Sequence, residues 1–170
     1  ILPPALAENF ADNRRAWSGL GPNSEFLIQE NRLIFNSNLA GQPAVVYCAG
    51  DCGPFKDSYY YEAEMLDERE SEFGYGLIFA INDARNAYYA YKVRPASGEY
   101  GLFKLANGGW TPLIDWSKTP GLLLPPQTNI LGVRLQDKTI DLFLNGERLA
   151  SYEDEKPYNE GRIGFIVDQD

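Results

Sequence analysis

The 170-residue chain contains no histidine. That absence removes the commonest general base at neutral pH, the Ser-His-Asp triad and every imidazole-based metal site. Only two cysteines are present, too few for a structural zinc centre, which draws four ligands from Cys and His. No run approaches the roughly 18 apolar residues that a membrane-crossing helix needs. Positive charge is scarce as well: 15 Lys and Arg stand against 24 Asp and Glu, for a net charge of −9. The average field repels nucleic-acid phosphates and anionic membrane surfaces, so neither is an expected partner. The sequence opens ILPPALAENF without an initiating Met, as a mature form or a domain excised from a longer chain would.

Aromatic residues and turn formers are plentiful instead: 11 Tyr, 9 Phe, 16 Gly and 11 Pro. Rings and β-branched side chains suit a pleated, half-buried surface, whereas Gly and Pro suit tight turns, so the composition predicts many short strands and no long helix. The length fits a single domain over 1–170, with 1–25 as a polar lead-in whose Phe10 and Trp17 anchor it and whose only helix is one short turn. Pro3 and Pro4 mark its extended entry.

The clearest stretch runs from Phe73 to Trp110. In FGYGLIFAIN, Phe73, Tyr75, Leu77, Phe79 and Ile81 alternate with Gly74, Gly76, Ile78 and Ala80, the period of two that a strand with unlike faces shows. AYYAYKVRP and EYGLFKL follow after turn residues, which makes an antiparallel meander with one apolar and one partly polar face. Upstream, 26–35 reads as a hairpin through Glu30 and Asn31, and 44–48 as a strand. SYYYEAEMLD sets Tyr59, Tyr61, Ala63 and Met65 against Tyr60, Glu62, Glu64 and Leu66. Downstream, the prolines of 111–128 predict a crossing loop. Residues 129–154 read as three strands broken at Asp137 and Lys138 and at Asn145 and Gly146, and 160–168 as the last strand. Ten to twelve strands of this kind predict an all-β fold, a two-sheet antiparallel jelly-roll sandwich.

Cys48 and Cys52 lie in the Gly-rich loop of YCAGDCGPF. The spacing is not the CxxC of redox enzymes, and Gly50 and Gly53 permit the tight backbone of a small ring, so a local disulfide is the favoured reading. Two reduced thiols are the alternative. A disulfide implies an extracytoplasmic setting: secreted, periplasmic or at the cell surface.

The pieces GYGLIFAINDARNAYYAYKV, GEYGLFKLANGGWTPLIDWS, NILGVRL, IDLFLNGERLASYED and EGRIGFIVD resemble the concanavalin A-like lectin/glucanase superfamily, most of all its laminin-G-like and 3-keto-disaccharide-hydrolase-like branches. The resemblance covers about 58–168 and implies the sandwich fold together with a carbohydrate-related role. Glucanases of the superfamily carry an ExDxxE-like set of carboxylates on one strand, since alternate positions hold two acids about 5 Å apart on one face. Here Glu62 and Glu64 share a face, but Leu66 stands in the third place and no complete catalytic set maps onto the chain. Related sandwiches also seat a structural calcium where the first and last strands meet, which makes Asp12 and Asp168 candidate Ca²⁺ ligands by analogy. The acidic turn with Asp67, Glu68, Glu70 and Glu72 is a further oxygen-rich candidate, against the plainer reading of a solvated turn.

The meander's polar face is the better candidate for binding. The alternation predicts Tyr60, Glu62, Tyr88, Lys92, Arg94, Tyr100 and Lys104 on one sheet face around a floor of Gly74, Gly76 and Ala80, with Trp110 closing one end. Rings can stack on the C–H face of a sugar while charged groups fix its hydroxyls, and Lys92 and Arg94 would favour acidic sugars. An ordinary solvated face with cross-strand ion pairs is the competing reading. The sequence thus predicts a non-catalytic recognition module for a carbohydrate or glycoconjugate, with a glycoside or 3-keto-glycoside hydrolase second and a structural or protein-binding domain third. Other domains of a longer chain are possible partners in each case.

Overall fold

Alternating burial, strand by strand, sorts the side chains into two layers. The computed structural model describes residues 6–22, 24–35, 42–68 and 72–168, so Pro3, Pro4 and Glu70 lie outside the described residues. Within them the strands are β1 Trp17–Leu20, β2 Phe26–Gln29, β3 Arg32–Phe35, β4 Ala44–Cys48, β5 Phe55–Lys56, β6 Ser58–Met65, β7 Tyr75–Ile81, β8 Ala87–Arg94, β9 Glu99–Ala106, β10 Gly109–Lys118, β11 Asn129–Gln136, β12 Thr139–Leu144, β13 Glu147–Glu153 and β14 Glu160–Val167. The described residues contain no helix.

A large sheet runs β1-β4-β14-β7-β8-β9-β10, with β5 added against the start of β14, and a small sheet runs β13-β12-β11-β6. Every pairing is antiparallel. Between the two sheets lies the main core. Leu77, Phe79, Tyr89, Tyr91, Val93 and Leu102 of the large sheet meet Leu131, Val133, Leu135, Ile140 and Leu142 of the small one, all without exposure. Each such side chain contributes about 1.5–3 kcal/mol of burial energy. Tight turns set the registers. At Glu30 and Asn31, Asn107 and Gly108, and Asn145 and Gly146 both central residues take positive φ, the geometry whose twist matches that of a two-residue hairpin.

Cys48, at the end of β4, is disulfide-bonded to Cys52 with Cα atoms 5.8 Å apart. Arg162 on β14 donates to the carbonyls of Cys48 and Gly50, and the Gly50 N–H donates to the Arg15 carbonyl. The ring therefore fastens the segment before β1 to the end of the large sheet. That segment holds bends and a turn but no helix, and Trp17, the first residue of β1, stacks on Phe165 at 5.1 Å.

Three expectations need correction. Of 111–128, read as a crossing loop, residues 111–118 belong to strand β10 and only 119–128 cross; β10 is an edge strand and shifts register around Pro112 and Ile114, so the missing proline N–H is tolerated there. Ile81 does not share a face with Phe79. Ala80 takes φ 52° opposite the register shift between Arg162 and Gly164, and this bulge turns Ala80 toward the main core and Ile81 to the opposite side. The third correction concerns which residues share a face: β6 belongs to the small sheet, pairing with β11, so Tyr60 and Glu62 lie on the far side of the sandwich from the meander.

Candidate functional site

The outer face of the large sheet is itself packed. Val45 and Tyr47 of β4, Ile166 of β14, Ile78 and Ile81 of β7, Tyr88 and Ala90 of β8 and Leu105 of β9 form a second buried cluster, and none of them touches the small sheet's core residues by alternation. Toward β10 this cluster gives way to rings and charges. Lys92 extends from β8 and its ammonium lies 4.8 Å from the Phe103 ring centroid, 5.4 Å from Trp110 and 5.5 Å from Trp116. Both carboxylate oxygens of Asp168 accept from it at 3.0 Å. Two strand positions further on, the Arg94 guanidinium stacks on Trp116 at 3.7 Å. Trp110 stands edge-on to Tyr88 at 5.7 Å and keeps 39 % of its surface exposed. At the other end, Arg85 donates to the Tyr47 hydroxyl at 2.6 Å.

The turn after β9 brings Trp110 opposite Leu105, and Leu105 opposite Tyr88, which aligns the three across neighbouring strands. Burial pushes the Tyr88 phenol up to about 12, so it remains a neutral hydrogen-bonding group at any physiological pH. The small residues do not leave a floor. A Cβ at Gly76 would land on the Tyr91 carbonyl oxygen, one at Gly101 would meet the Phe103 ring at 2.6 Å, and one at Gly74 would meet Asp168 at 3.0 Å and Trp116 at 3.3 Å. These glycines let backbone and rings approach closely, and the space above them is already filled.

Of the residues expected to share this face, Tyr88, Lys92, Arg94 and Trp110 do. Tyr100 and Lys104 do not, because they pair with Val93 and Tyr89, whose side chains point into the main core; a one-residue difference in parity reverses a face. Tyr100 packs against that core. Lys104 makes a 2.6 Å ion pair with Asp154, which also accepts from Tyr89 at 2.7 Å. Burial pushes the Asp154 carboxyl up, but hydrogen bonds from Lys104, Tyr89 and the Lys156 N–H outweigh it and hold the group below the ordinary range. On the small sheet, the Tyr60 hydroxyl donates to Glu62 at 2.7 Å, and Glu64 accepts from Thr128 at 2.8 Å.

The two proposed calcium ligands are not brought together. Trp17 pairs with Cys48 and Val167 with Ala44, so Asp12 and Asp168 lie beyond opposite ends of β4, a strand about 13 Å long at ~3.3 Å per residue. Asp12 is engaged with Arg14, and its backbone hydrogen bond from Arg14 holds its carboxyl below the ordinary value. No group of three potential metal-ligating side chains occurs among the described residues. Tyr47, Arg85, Phe103 and Trp116 were not anticipated as part of the face. Trp116 was hidden by reading 111–128 as a loop; Tyr47 carries the same alternation as Val45 and was recoverable from it.

No family model and no curated protein matches the sequence. Solved structures do. The carbohydrate-binding module CBM66 from Bacillus subtilis superposes over 91 % of this chain and 89 % of its own, with a TM-score of 0.74 at 16 % identity. A protein of unknown function with a galectin-like fold from the same organism covers 89 % and 82 %, with a TM-score of 0.65 at 13 % identity. A β-1,3-1,4-glucanase derived from a mouse hindgut metagenome covers 94 % and 83 %, with a TM-score of 0.63 at 10 % identity. The fold is that of the concanavalin A-like lectins and glucanases. At these identities a concanavalin A-like sandwich is common ground for binding modules and hydrolases alike, so function has to be argued from the site.

Proposed function

We propose that this concanavalin A-like sandwich is a non-catalytic, extracytoplasmic module that binds carbohydrate on the outer face of its large sheet. One observation carries the reading: Trp110 is left 39 % exposed beside a buried Tyr88 and a row of cations, on a face whose deeper residues are already packed. A half-exposed indole on a preorganised apolar bed is suited to stacking on the C–H face of a sugar ring, with little ordering cost. The CBM66 neighbour, a carbohydrate-binding module, supports the class of ligand, and the disulfide supports the compartment.

The glucanase neighbour raises hydrolysis as the rival. The carboxylate pair offered by the sequence, Glu62 and Glu64, stands on the opposite side of the molecule, engaged by Tyr60 and Thr128. On the proposed face Asp168 is held by Lys92, and Glu99 by Lys118 and Ser97. An inverting pair needs a free acid and a free base at the glycosidic bond, and a retaining pair a free acid and a free nucleophile. Binding is expected at a dissociation constant on the order of micromolar to millimolar. A glycan array followed by titration calorimetry tests this: saturable binding that Trp110→Ala weakens and Tyr60→Ala leaves intact supports it. Turnover of a chromogenic glycoside panel would place the chain with the hydrolases instead, and an array with no saturable signal would remove the reading.

A further inference from the structure

The cations of the proposed face are not equivalent. Lys92 is neutralised, its ammonium closed in by three rings and by both oxygens of Asp168. Arg85 spends its guanidinium on the Tyr47 hydroxyl and ring. Arg94 differs from both. Its plane is fixed by stacking on Trp116 at 3.7 Å, its Nε is buried without a hydrogen-bond partner, and no described residue forms an ion pair with it. Glu99, directly across the β8–β9 pairing from Arg94, feels its charge but makes no ion pair with it; its two oxygens serve Ser97 at 2.7 Å and Lys118 at 3.3 Å. The covered Nε closes the side-on approach and leaves the end of the fork, the two terminal nitrogens, for a ligand.

We infer that the saccharide bound on this face carries a carboxylate, and that Arg94, backed by Trp116, reads it end-on. The inference rests on the proposed carbohydrate-binding role. A guanidinium offers two parallel N–H donors matched to the two oxygens of a carboxylate, a geometry that neither a hydroxyl nor an ammonium reproduces. Stacking on the indole fixes the fork before the ligand arrives, which lowers the entropy lost on binding. The surroundings sharpen the point. In a chain of net charge −9 the average field disfavours anions, so an unpaired, preoriented guanidinium provides local attraction that the rest of the surface does not. The Lys92 ammonium lies 5.4 Å from the Trp110 ring and 5.5 Å from Trp116, on which Arg94 stacks at 3.7 Å, so the stacking ring and the carboxylate reader flank one side chain and lie within reach of one short oligosaccharide.

The test is calorimetry of the full chain with three uronate oligomers, a galacturonan, an alginate and a glucuronate-containing hyaluronan fragment, each paired with its carboxyl-reduced neutral counterpart. At least one uronate oligomer is expected to bind tenfold or more tightly than its reduced partner. Arg94→Gln is expected to erase that preference, with each uronate oligomer and its reduced partner then binding within twofold of each other. Arg94→Lys, which keeps the charge and loses the fork, is expected to recover less than half of the preference on a logarithmic scale; circular dichroism and the thermal midpoint of both variants establish that they are folded. Equal affinity within every pair overturns the inference while leaving neutral carbohydrate recognition standing. A preference that survives Arg94→Gln also overturns it, as does equally tight binding of sulfated oligosaccharides by wild type and Arg94→Gln, which marks non-specific electrostatics. If no glycan in the earlier array binds, the inference falls together with the function it rests on.

Discussion

The two outer faces of the sandwich are built differently, although both come from strands with alternating side chains. On the small sheet most outward residues are wet: Tyr60 is 51 % and Ile130 40 % exposed, and the exposed Arg134 and Arg148 cover a buried Asp141, with 2.6 Å to each. On the large sheet the outward residues Ile78, Ala90 and Ile166 have no exposure at all. The sequence of β7, YGLIFAI, is apolar or small at every position, whereas β6, SYYYEAEM, alternates exposed and half-buried positions along its length, with Glu62 and Glu64 outward and Ala63 and Met65 inward. A strand buried on both faces has no reason to alternate in polarity. The large sheet thus carries a core on each side, and its ring-and-cation surface is the margin of the second one.

The largest effect that could break this contrast is a cavity on the outward side. Ile78→Ala should cost about 2–4 kcal/mol in urea unfolding, while Ile130→Ala, its outward counterpart on the small sheet, should change stability by less than about 0.5 kcal/mol. Equal costs would mean that the outer cluster is not a packed core. Next in size is a pair of glycines. Gly76→Ala drives a methyl into the Tyr91 backbone, whereas at Gly132 the nearest atom is the Tyr60 hydroxyl at 2.5 Å, the tip of an exposed side chain that can swing away. A loss of about 1–3 kcal/mol is expected for the first and under 1 kcal/mol for the second, measured by thermal melts of the two variants.

Binding gives a smaller and more selective difference. Trp110→Ala should weaken glycan affinity about two- to tenfold, the order of one aromatic contact at 0.5–1.5 kcal/mol, with Tyr60→Ala indistinguishable from wild type by calorimetry. The smallest difference is in the acid limb. Asp154 has its folded pKa depressed by its hydrogen bonds to Lys104, Tyr89 and the Lys156 N–H, so its contribution to stability is complete above the ordinary aspartate value of about 3.9 and is lost as pH falls through the folded value. Because Lys104 belongs to the large sheet and Asp154 follows the small one, Asp154→Asn should flatten the loss of stability below pH ~4. An acid limb unchanged by that substitution would show that the cross-sheet pair does not set it.

Much of the fold was legible. The turn at Asn145 and Gly146 announced its hairpin, since two adjacent residues that tolerate positive φ between apolar runs have few other uses, and at Glu30 and Asn31 a polar pair between apolar runs did the same. The two-sheet sandwich and the disulfide were read correctly from the same patterns and from Gly50 and Gly53. Which residues share a face was less legible, because alternation fixes parity within a strand but not between strands. Tyr100 and Lys104 show this: their parity depends on the length of the turn between Arg94 and Glu99, and so they face the main core. The bulge at Ala80 had no sequence signal, as nothing in LIFAIN marks alanine for positive φ. Trp116 was lost to a rule about proline that holds for central strands and not for edges.

The position of β14 carries a consequence for how the chain is made. This strand, residues 160–167, lies between β4 and β7 and also takes β5, so the large sheet stays in two halves until those residues leave the ribosome. Until then β4 and β7, in which every residue of the finished fold is buried, present unpaired apolar edges to the cell, the kind of surface that recruits chaperones or other nascent chains. A premature stop anywhere before β14 would therefore yield not a smaller sandwich but an aggregation-prone half-sheet.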